Sequence, residues 1–327
     1  MPFKLSVIIP VYNGALTLDR CLKSIRDQIF SEGQIEILVL DSCSTDNSLE
    51  IANVYGVKII NIPEGTFDHG LTRNEGVQHA TGDFIFFTVQ DAWLSNNNLL
   101  EKMTRHFDDP EVMGVVGHQA IPHEKDKNPA LWYRPISAPS ITIKKIADPS
   151  QFKEMQQDQQ QALVAWDNVV AIYRRNALVE QPFVQTAFAE DWIWSYNALL
   201  KGWKLLHDSS LVVYHYHHQF YKYMFNSTYT VNYHFLKFFG YHPIIPNIIS
   251  KAAKATYHLV KHKELTIKEK ISWLGHNYIS FMGEFNSTIN FLLRLKIGGL
   301  KLLESGYKRY CRKIPQGRLS SQKPQHI

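Results

Sequence analysis

The chain has 327 residues, 45% of them hydrophobic and 20% charged, which admits a sizeable core and excludes a disordered protein. Its three cysteines, Cys21, Cys43 and Cys311, form no CxxC pair, which excludes a disulfide framework or a zinc site and fits a reducing, cytoplasmic compartment. The net charge of +5 hides an asymmetry, with 25 acidic against 16 basic side chains in residues 1–200 and 5 against 19 afterwards. The acidic half suits a metal site; the basic, aromatic half suits anionic lipid head groups or a phosphate-bearing acceptor. No nucleic-acid-binding signature is present, so no nucleic acid is expected as a partner. No apolar run reaches the roughly 18 residues a membrane span needs. The opening MPFKLSVIIPVYNG enters a strand without a basic region ahead of an apolar one, so no signal peptide is expected, and the Asn-Ser-Thr sequons at Asn226 and Asn286 read as chance.

In chain order, LSVIIPV (5–11) reads as a buried strand ending in Tyr12-Asn13-Gly14, and Leu18, Leu22, Ile25 and Ile29 keep helical spacing. Residues 35–40 form a second buried strand ending in Asp41, followed by DSCSTDNS and a helix near 49–55. Residues 57–62 make a third strand. The stretch FDHGLTRNEGVQHATGDFIFFTVQDAW (67–93) then reads as loop, helix, turn and a strand apolar on both faces. Alternation of this kind predicts right-handed crossovers and a mostly parallel sheet.

Three strands thus end in polar residues, Tyr12-Asn13, Asp41 and Gln90-Asp91, and ligands bind at such carboxyl edges. Neither GxGxxG nor GxxxxGK[ST] follows the first strand, which argues against a dinucleotide fold or a P-loop. Carboxylates in place of a glycine cradle suit a nucleotide whose phosphates are met by a metal. Each residue keeps two readings here. Asp91 pairs with a cation or caps a helix near Asn96–Asn98. Asp41 accepts a hydrogen bond from a base or caps its own turn. Arg73 forks a phosphate or pairs with Glu75 or Asp68.

A further strand is expected over 111–119, an irregular proline-containing stretch over 122–149, a glutamine-rich helix or lid over 151–161, and a strand over Trp166–Tyr173. Glu190-Asp191 open a helix that Lys201-Gly202 close. The pair serves either as simple complements of the helix dipole or as the ionised carboxylate a general base requires. Short strands are expected at 203–206 and 211–214, ahead of His215, His217 and His218; alternation places His215 and His217 on one face, where one completes a metal site with Asp91 or fills an ordinary core role. Beyond Tyr216 aromatics and basic helical segments take over. The stretch 291–303 makes a basic amphipathic helix that meets a membrane surface or packs on the core.

VIIPVYNG, DSCSTDNS, DHGLTRNEG, GDFIFFTVQDA, AEDW and VVYHYH, in this order over residues 5–218, resemble a family 2 glycosyltransferase, and DHG-x-TRN with a QDA end resembles its bacterial rhamnosyltransferase branch. The resemblance implies an α/β fold of GT-A type, a mostly parallel nucleotide-binding sheet flanked by helices, with a basic helical C-terminal extension. It implies a catalytic domain over 1–218, beyond which the residue pattern predicts an aromatic and basic helical extension over 219–315 and a disordered tail over 316–327. By the same resemblance Pro10, Tyr12 and Asn13 line a nucleoside pocket and Asp41 binds the pyrimidine. Arg73, Asn74 and Gln90 face the nucleotide diphosphate sugar, Asp91 and His215 bind Mg²⁺ or Mn²⁺, and Asp191 is the catalytic base with Glu190 beside it. The implied activity is inverting transfer of a sugar, best matched by rhamnose from dTDP-rhamnose, to a cell-surface glycan or lipid-linked acceptor, with the basic region on the inner face of the cell membrane. The family's Asp-x-Asp is Val89-Gln90-Asp91 here. The loss of one carboxylate leaves a non-catalytic nucleotide- or glycan-binding subunit of a synthase assembly as the alternative.

Overall fold

The computed structural model describes residues 3–31, 33–131 and 139–311. The tail expected over 316–327 and part of the proline-containing stretch lie outside the described residues. The chain divides into two units, the first of residues 1–120 and 136–215 and the second built on 121–135 and 216–316.

Among the described residues the first unit holds nine strands: β1 Phe3–Val11, β2 Gly33–Asp41, β3 Lys58–Asn61, β4 Phe84–Phe87, β5 Ala92–Leu94, β6 Val112–Ala120, β7 Ile141–Lys144, β8 Ala171–Arg174 and β9 Lys204–His215. Its helices are α1 Leu18–Arg26, α2 Ser48–Val54, α3 His69–His79, α4 Leu99–Arg105, α5 Pro149–Glu154, α6 Gln157–Val164, α7 Arg175–Glu180 and α8 Glu190–Leu200. The strands form one sheet in the order β3-β2-β1-β4-β8-β6-β9-β5, with β7 on β9. β1 to β4 are parallel, β8 runs antiparallel between β4 and β6, and β6 and β9 are parallel again.

Period-two alternation explains why β4 is apolar throughout. Phe84 and Phe86 pack with α1, α2 and α4 through Leu22, Ala52 and Met103. Ile85 and Phe87 face the other side, with Val77 of α3, Leu178 of α7 and Trp194 of α8. Each fully buried Phe or Leu in such a layer contributes about 1.5–3 kcal/mol.

Two strand expectations change in detail. The run over Trp166–Tyr173 pairs only from Ala171, because the Asp167 carboxylate accepts the Val169 N–H at 2.9 Å and its carbonyl takes the Val170 N–H at 3.1 Å, forming a turn. The two short strands at 203–206 and 211–214 are one strand, β9, since Asp208 pairs with Ile141 of β7 and the Ser209 N–H is taken up by the Ser140 carbonyl. Nor does Asp91 cap a helix: β5 follows it directly, and Asn98 occupies the N-cap position of α4.

The second unit contains α9 Tyr221–Phe239, α10 Ile248–Lys261 and α11 Ile267–Tyr310. A capping box of Thr266 and Glu269 starts α11, which kinks at Gly298-Gly299, where φ reaches 56° at Gly299. Tyr229 of α9 packs on Phe291 and Leu303 of α11, and its hydroxyl donates to the Leu303 carbonyl at 3.1 Å. The amphipathic stretch over 291–303 is therefore divided: Phe291 and Leu303 are core, whereas Leu293, Ile297 and Leu300 are exposed. No helix among the described residues is long and apolar enough to cross a membrane.

Candidate active site

The carboxyl ends of β1, β2 and β4 are cross-tied. After β1 the chain turns at Asn13, whose φ is +50°. The Asn13 N–H donates to Ser44 Oγ at 2.9 Å, and its side-chain oxygen accepts the Thr45 N–H at 2.8 Å. Asp41, buried at the end of β2, accepts the Ser44 N–H at 3.2 Å. Gln90 closes the third side: its oxygen accepts the Tyr12 N–H at 2.8 Å and its amide donates to the Tyr12 carbonyl at 3.2 Å. A Cβ at position 14 would lie 2.7 Å from that side-chain oxygen, so glycine is needed for Gln90 to reach across. Pro10 and Tyr12 are half-buried at the same edge. Asn13 and Gln90 thus hold the shape of the walls. The buried hydroxyls Ser42 Oγ and Thr88 Oγ1, beside Asp41 and Gln90, have no hydrogen-bond partner among the described residues, a state that polar groups at ligand sites tolerate.

Around α3 and α8 the chain builds a buried charged cluster. Asp68 caps α3, accepting the N–H groups of Gly70 and Leu71, and also takes the Thr186 N–H at 3.2 Å. Gly70 lets the Val184 carbonyl approach where any Cβ would collide. Asn74 locks the same loop, exchanging hydrogen bonds with the backbone N–H and carbonyl of Phe183 at 3.0 and 2.8 Å. Arg73, 4% exposed, places Nη1 3.0 Å from Glu190 Oε1 and 3.0 Å from the His69 carbonyl. Glu190, also 4% exposed, further accepts from Asn168 Nδ2 at 3.0 Å. Against the burial that raises it, Arg73 and His69 hold the Glu190 carboxyl below its ordinary value. His69 is itself kept low by burial and the neighbouring guanidinium.

Asp191 sits next to that pair with the opposite tendency. Burial first, then the charges of Glu190 and Asp167, push its carboxyl well above the usual carboxylate range. Its Oδ2 accepts the Asn168 N–H at 3.2 Å. Ala189, which leads into α8, has φ of 67°. Asn13, Cys43 and Ala189 are the non-glycine residues of positive φ among those described, and all three lie in loops of this site, where backbone strain tends to concentrate.

Asp91 and His215 meet at the far end of the same polar system, with His215 Nε2 3.4 Å from Asp91 Oδ1. The Gln119 amide donates to Asp167 Oδ2, which turns its oxygen to His215; His215 Nδ1–H therefore donates to Gln119 Oε1 at 2.8 Å. Burial pulls the imidazole down, but Asp91 and Asp167 outweigh it and hold it above its ordinary value. Burial also raises the Asp167 carboxyl. A continuous path consequently runs Asp91–His215–Gln119–Asp167, passes along the backbone to Asn168, and ends at Asp191 and Glu190–Arg73. The two acids expected to act together, Asp91 and Asp191, are joined through this path. Asp91 and His215 offer ligand atoms within 4.8 Å of each other. An oxygen and an imidazole nitrogen, the latter oriented by an amide behind it, suit a divalent cation.

Gln119, Asp167, Asn168, Tyr173 and Trp166 were not legible as site residues. Trp166 Nε1 donates to the Tyr173 hydroxyl at 2.7 Å, and that hydroxyl donates to Asn168 Oδ1 at 2.6 Å. The available signal was Asp167-Asn168, two polar residues directly ahead of an apolar run.

Residues 6–180 match the family described as glycosyl transferase family 2. The chain is 31% identical over 219 residues to the O-antigen chain rhamnosyltransferase RfbN of Salmonella typhimurium, covering 65% of this chain and 67% of that one. To the O-antigen chain rhamnosyltransferase WbaN of Salmonella anatum it is 32% identical, covering 65% and 66%. The matched region thus spans about two-thirds of either relative's length. In three dimensions it is similar to the mannosyltransferase PcManGT of Pyrobaculum calidifontis, solved with GDP-Man and Mn²⁺, at a TM-score of 0.51 and 15% identity, covering 93% of this chain and 79% of that one. It is also similar to S. aureus TarS 1-349, solved with UDP, at 0.51 and 17%, covering 94% and 91%. At such identities the likeness is one of fold, the GT-A type.

Proposed function

The chain belongs to glycosyl transferase family 2, and on that premise we propose that it moves rhamnose from dTDP-rhamnose, with inversion, onto a cell-surface glycan carried on a lipid. The observation that carries this reading is the single polar path from Asp91 and His215 to Asp191. The rhamnosyltransferase relatives support the choice of sugar. In this reading the first unit binds donor and performs the chemistry, Pro10, Tyr12 and Asp41 face the nucleoside, and the second unit meets the acceptor's membrane on the inner, cytoplasmic face.

Asp191 takes the proton of the acceptor hydroxyl as that oxygen attacks the anomeric carbon. The bond from that carbon to the donor's phosphate oxygen breaks, its electron pair leaves with the nucleotide diphosphate, and the configuration inverts. Glu190, kept ionised by Arg73, raises the proton affinity of Asp191 and so makes it a stronger base. Asn168 fixes both carboxylates in place. Mg²⁺ or Mn²⁺ held by Asp91 and His215 would neutralise the charge gathering on the leaving diphosphate. Incubation with a panel of dTDP-, UDP- and GDP-sugars and lipid-linked acceptors, read by mass spectrometry, tests the proposal. Turnover with a dTDP-sugar is expected; nucleotide binding with neither transfer nor hydrolysis would point to a binding subunit instead.

Two further results are expected. Because burial and two neighbouring charges raise Asp191, the acid limb of kcat/KM should lie above the ordinary carboxylate range of about 4. Activity should fall as pH drops through that limb, since the protonated acid cannot act as base. A limb at the ordinary value would place the base elsewhere. Separately, treatment with a chelator should stop transfer and weaken nucleotide diphosphate binding in calorimetry, with Mn²⁺ or Mg²⁺ restoring both. Asp91→Asn should weaken Mn²⁺ binding by about tenfold or more, and unchanged Mn²⁺ affinity in that variant would exclude Asp91 as a ligand.

A further inference from the structure

We propose that the outer face of α10 and the first turns of α11 form a docking surface for anionic membrane lipid. Residues on this face are apolar where solvent would normally demand otherwise. On α10, Ile249 is 84% exposed and Val260 64%; on α11, Ile267 is 78% exposed and Ile271 64%. Within each helix the exposed positions recur at helical spacing, Ile249, Ala253, Tyr257 and Val260 on one, Ile267, Ile271, Gly275 and Tyr278 on the other. The two rows adjoin. Lys270 Nζ donates to the Val260 carbonyl at 3.0 Å, tying the start of α11 to the end of α10. Between the helices lies an apolar cavity of about 230 Å³, with Ala252, Ala255, Leu274 and Phe281 in its walls and the exposed Thr256 and Tyr278 at its mouth. Ala255 and Leu259 of α10 pack with Leu274 and Phe281 of α11 in one apolar cluster.

Charge decides which occupant fits. Between residues 244 and 279 there are six lysines and two glutamates. Lys254 and Lys261 lie along one side of the α10 row, and Lys268 follows Ile267 on α11. Isoleucines flanked by lysines suit the boundary between acyl chains and anionic head groups, where the apolar side chains enter the lipid and the ammonium groups stay at the phosphates. A second copy of the chain, by contrast, would set this lysine-bearing face against an identical lysine-bearing face across a two-fold contact. The inference deepens the lipid-linked acceptor reading by naming the surface that meets the membrane, and it is independent of the chemistry at Asp191.

The test uses the full chain, without donor or acceptor, in co-sedimentation with vesicles of phosphatidylcholine alone or with a quarter of phosphatidylglycerol. Binding should be strong to the anionic vesicles, weak to the neutral ones, and reduced by salt. Ile249→Asp with Ile271→Asp should lower partitioning by about tenfold or more, as should Lys254→Glu with Lys261→Glu. Thermal midpoints should stay unchanged, because these side chains are exposed. No sedimentation of the unaltered chain with anionic vesicles, or undiminished binding by both double variants, would overturn the proposal. So would a dimer in light scattering that Ile249→Asp dissociates while lipid binding persists. Failure here with dTDP-sugar turnover intact removes the docking surface and leaves the proposed chemistry standing.

Discussion

Asp191→Asn should reduce transfer by about 10²–10⁴-fold, the range typical of losing a general base, while nucleotide affinity stays within roughly twofold. The amide has nearly the same shape, and its oxygen can still accept the Asn168 N–H that Asp191 Oδ2 accepts at 3.2 Å. What it cannot do is take a proton. The substitution should not destabilise the fold either. Ionised Asp191 lies beside Glu190 and Asp167 in a site where burial already penalises its charge, so a neutral side chain relieves repulsion. In linkage terms, a carboxyl raised in the folded state contributes stability at low pH and loses it as pH rises through the folded value. The advantage of the Asn variant should accordingly appear at neutral and higher pH. Calorimetric binding of dTDP and single-turnover transfer, measured side by side, separate these effects. Joint loss of binding and transfer would make Asp191 a structural residue and sink the catalytic assignment.

The largest effect on stability is expected from Arg73→Met. Arg73 and Glu190 are both about as buried as a core leucine, and their contact is 3.0 Å. Deleting one partner leaves the other as an uncompensated buried charge, which costs about 3–5 kcal/mol. The double variant Arg73→Met, Glu190→Gln should recover much of that loss, because no unpaired ion remains. The penalty also has a pH signature. Glu190 is held low in the folded state, so its contribution is present above the unfolded carboxyl value and disappears as pH falls through the folded one. The single variant should therefore approach the parent protein in acid. Urea unfolding at neutral and acidic pH measures all three proteins. A loss below roughly 1 kcal/mol at neutral pH would mean the pair behaves as an exposed salt bridge, contrary to its burial.

Much of the architecture could be read from the residues, and for definite reasons. Strands such as β1 and β4 are continuous apolar runs that only a sheet covered on both faces can bury, and Glu190-Asp191 and Lys201-Gly202 mark by local chemistry where α8 begins and ends. The polar ends of β1, β2 and β4 are likewise local features, so the polar edge of the sheet was visible in Tyr12, Asp41 and Asp91. Errors fell where local and tertiary preferences compete. Asp167 turns the chain before β8 because its own side chain captures a backbone N–H, and the serines of β9 stay extended because β7 pairs beside them.

The sequence by itself determined the alternating α/β order, the acid-bearing strand ends and the carboxylate pair that opens α8, since each depends on neighbours a few residues away. Only the tertiary structure decided which partner each charge takes. Arg73 meets Glu190 across 117 positions of sequence, and Gln119 joins His215 to Asp167. Such pairings arise because a buried charge must find compensation wherever the packed sheet brings it, and no local pattern records where that will be.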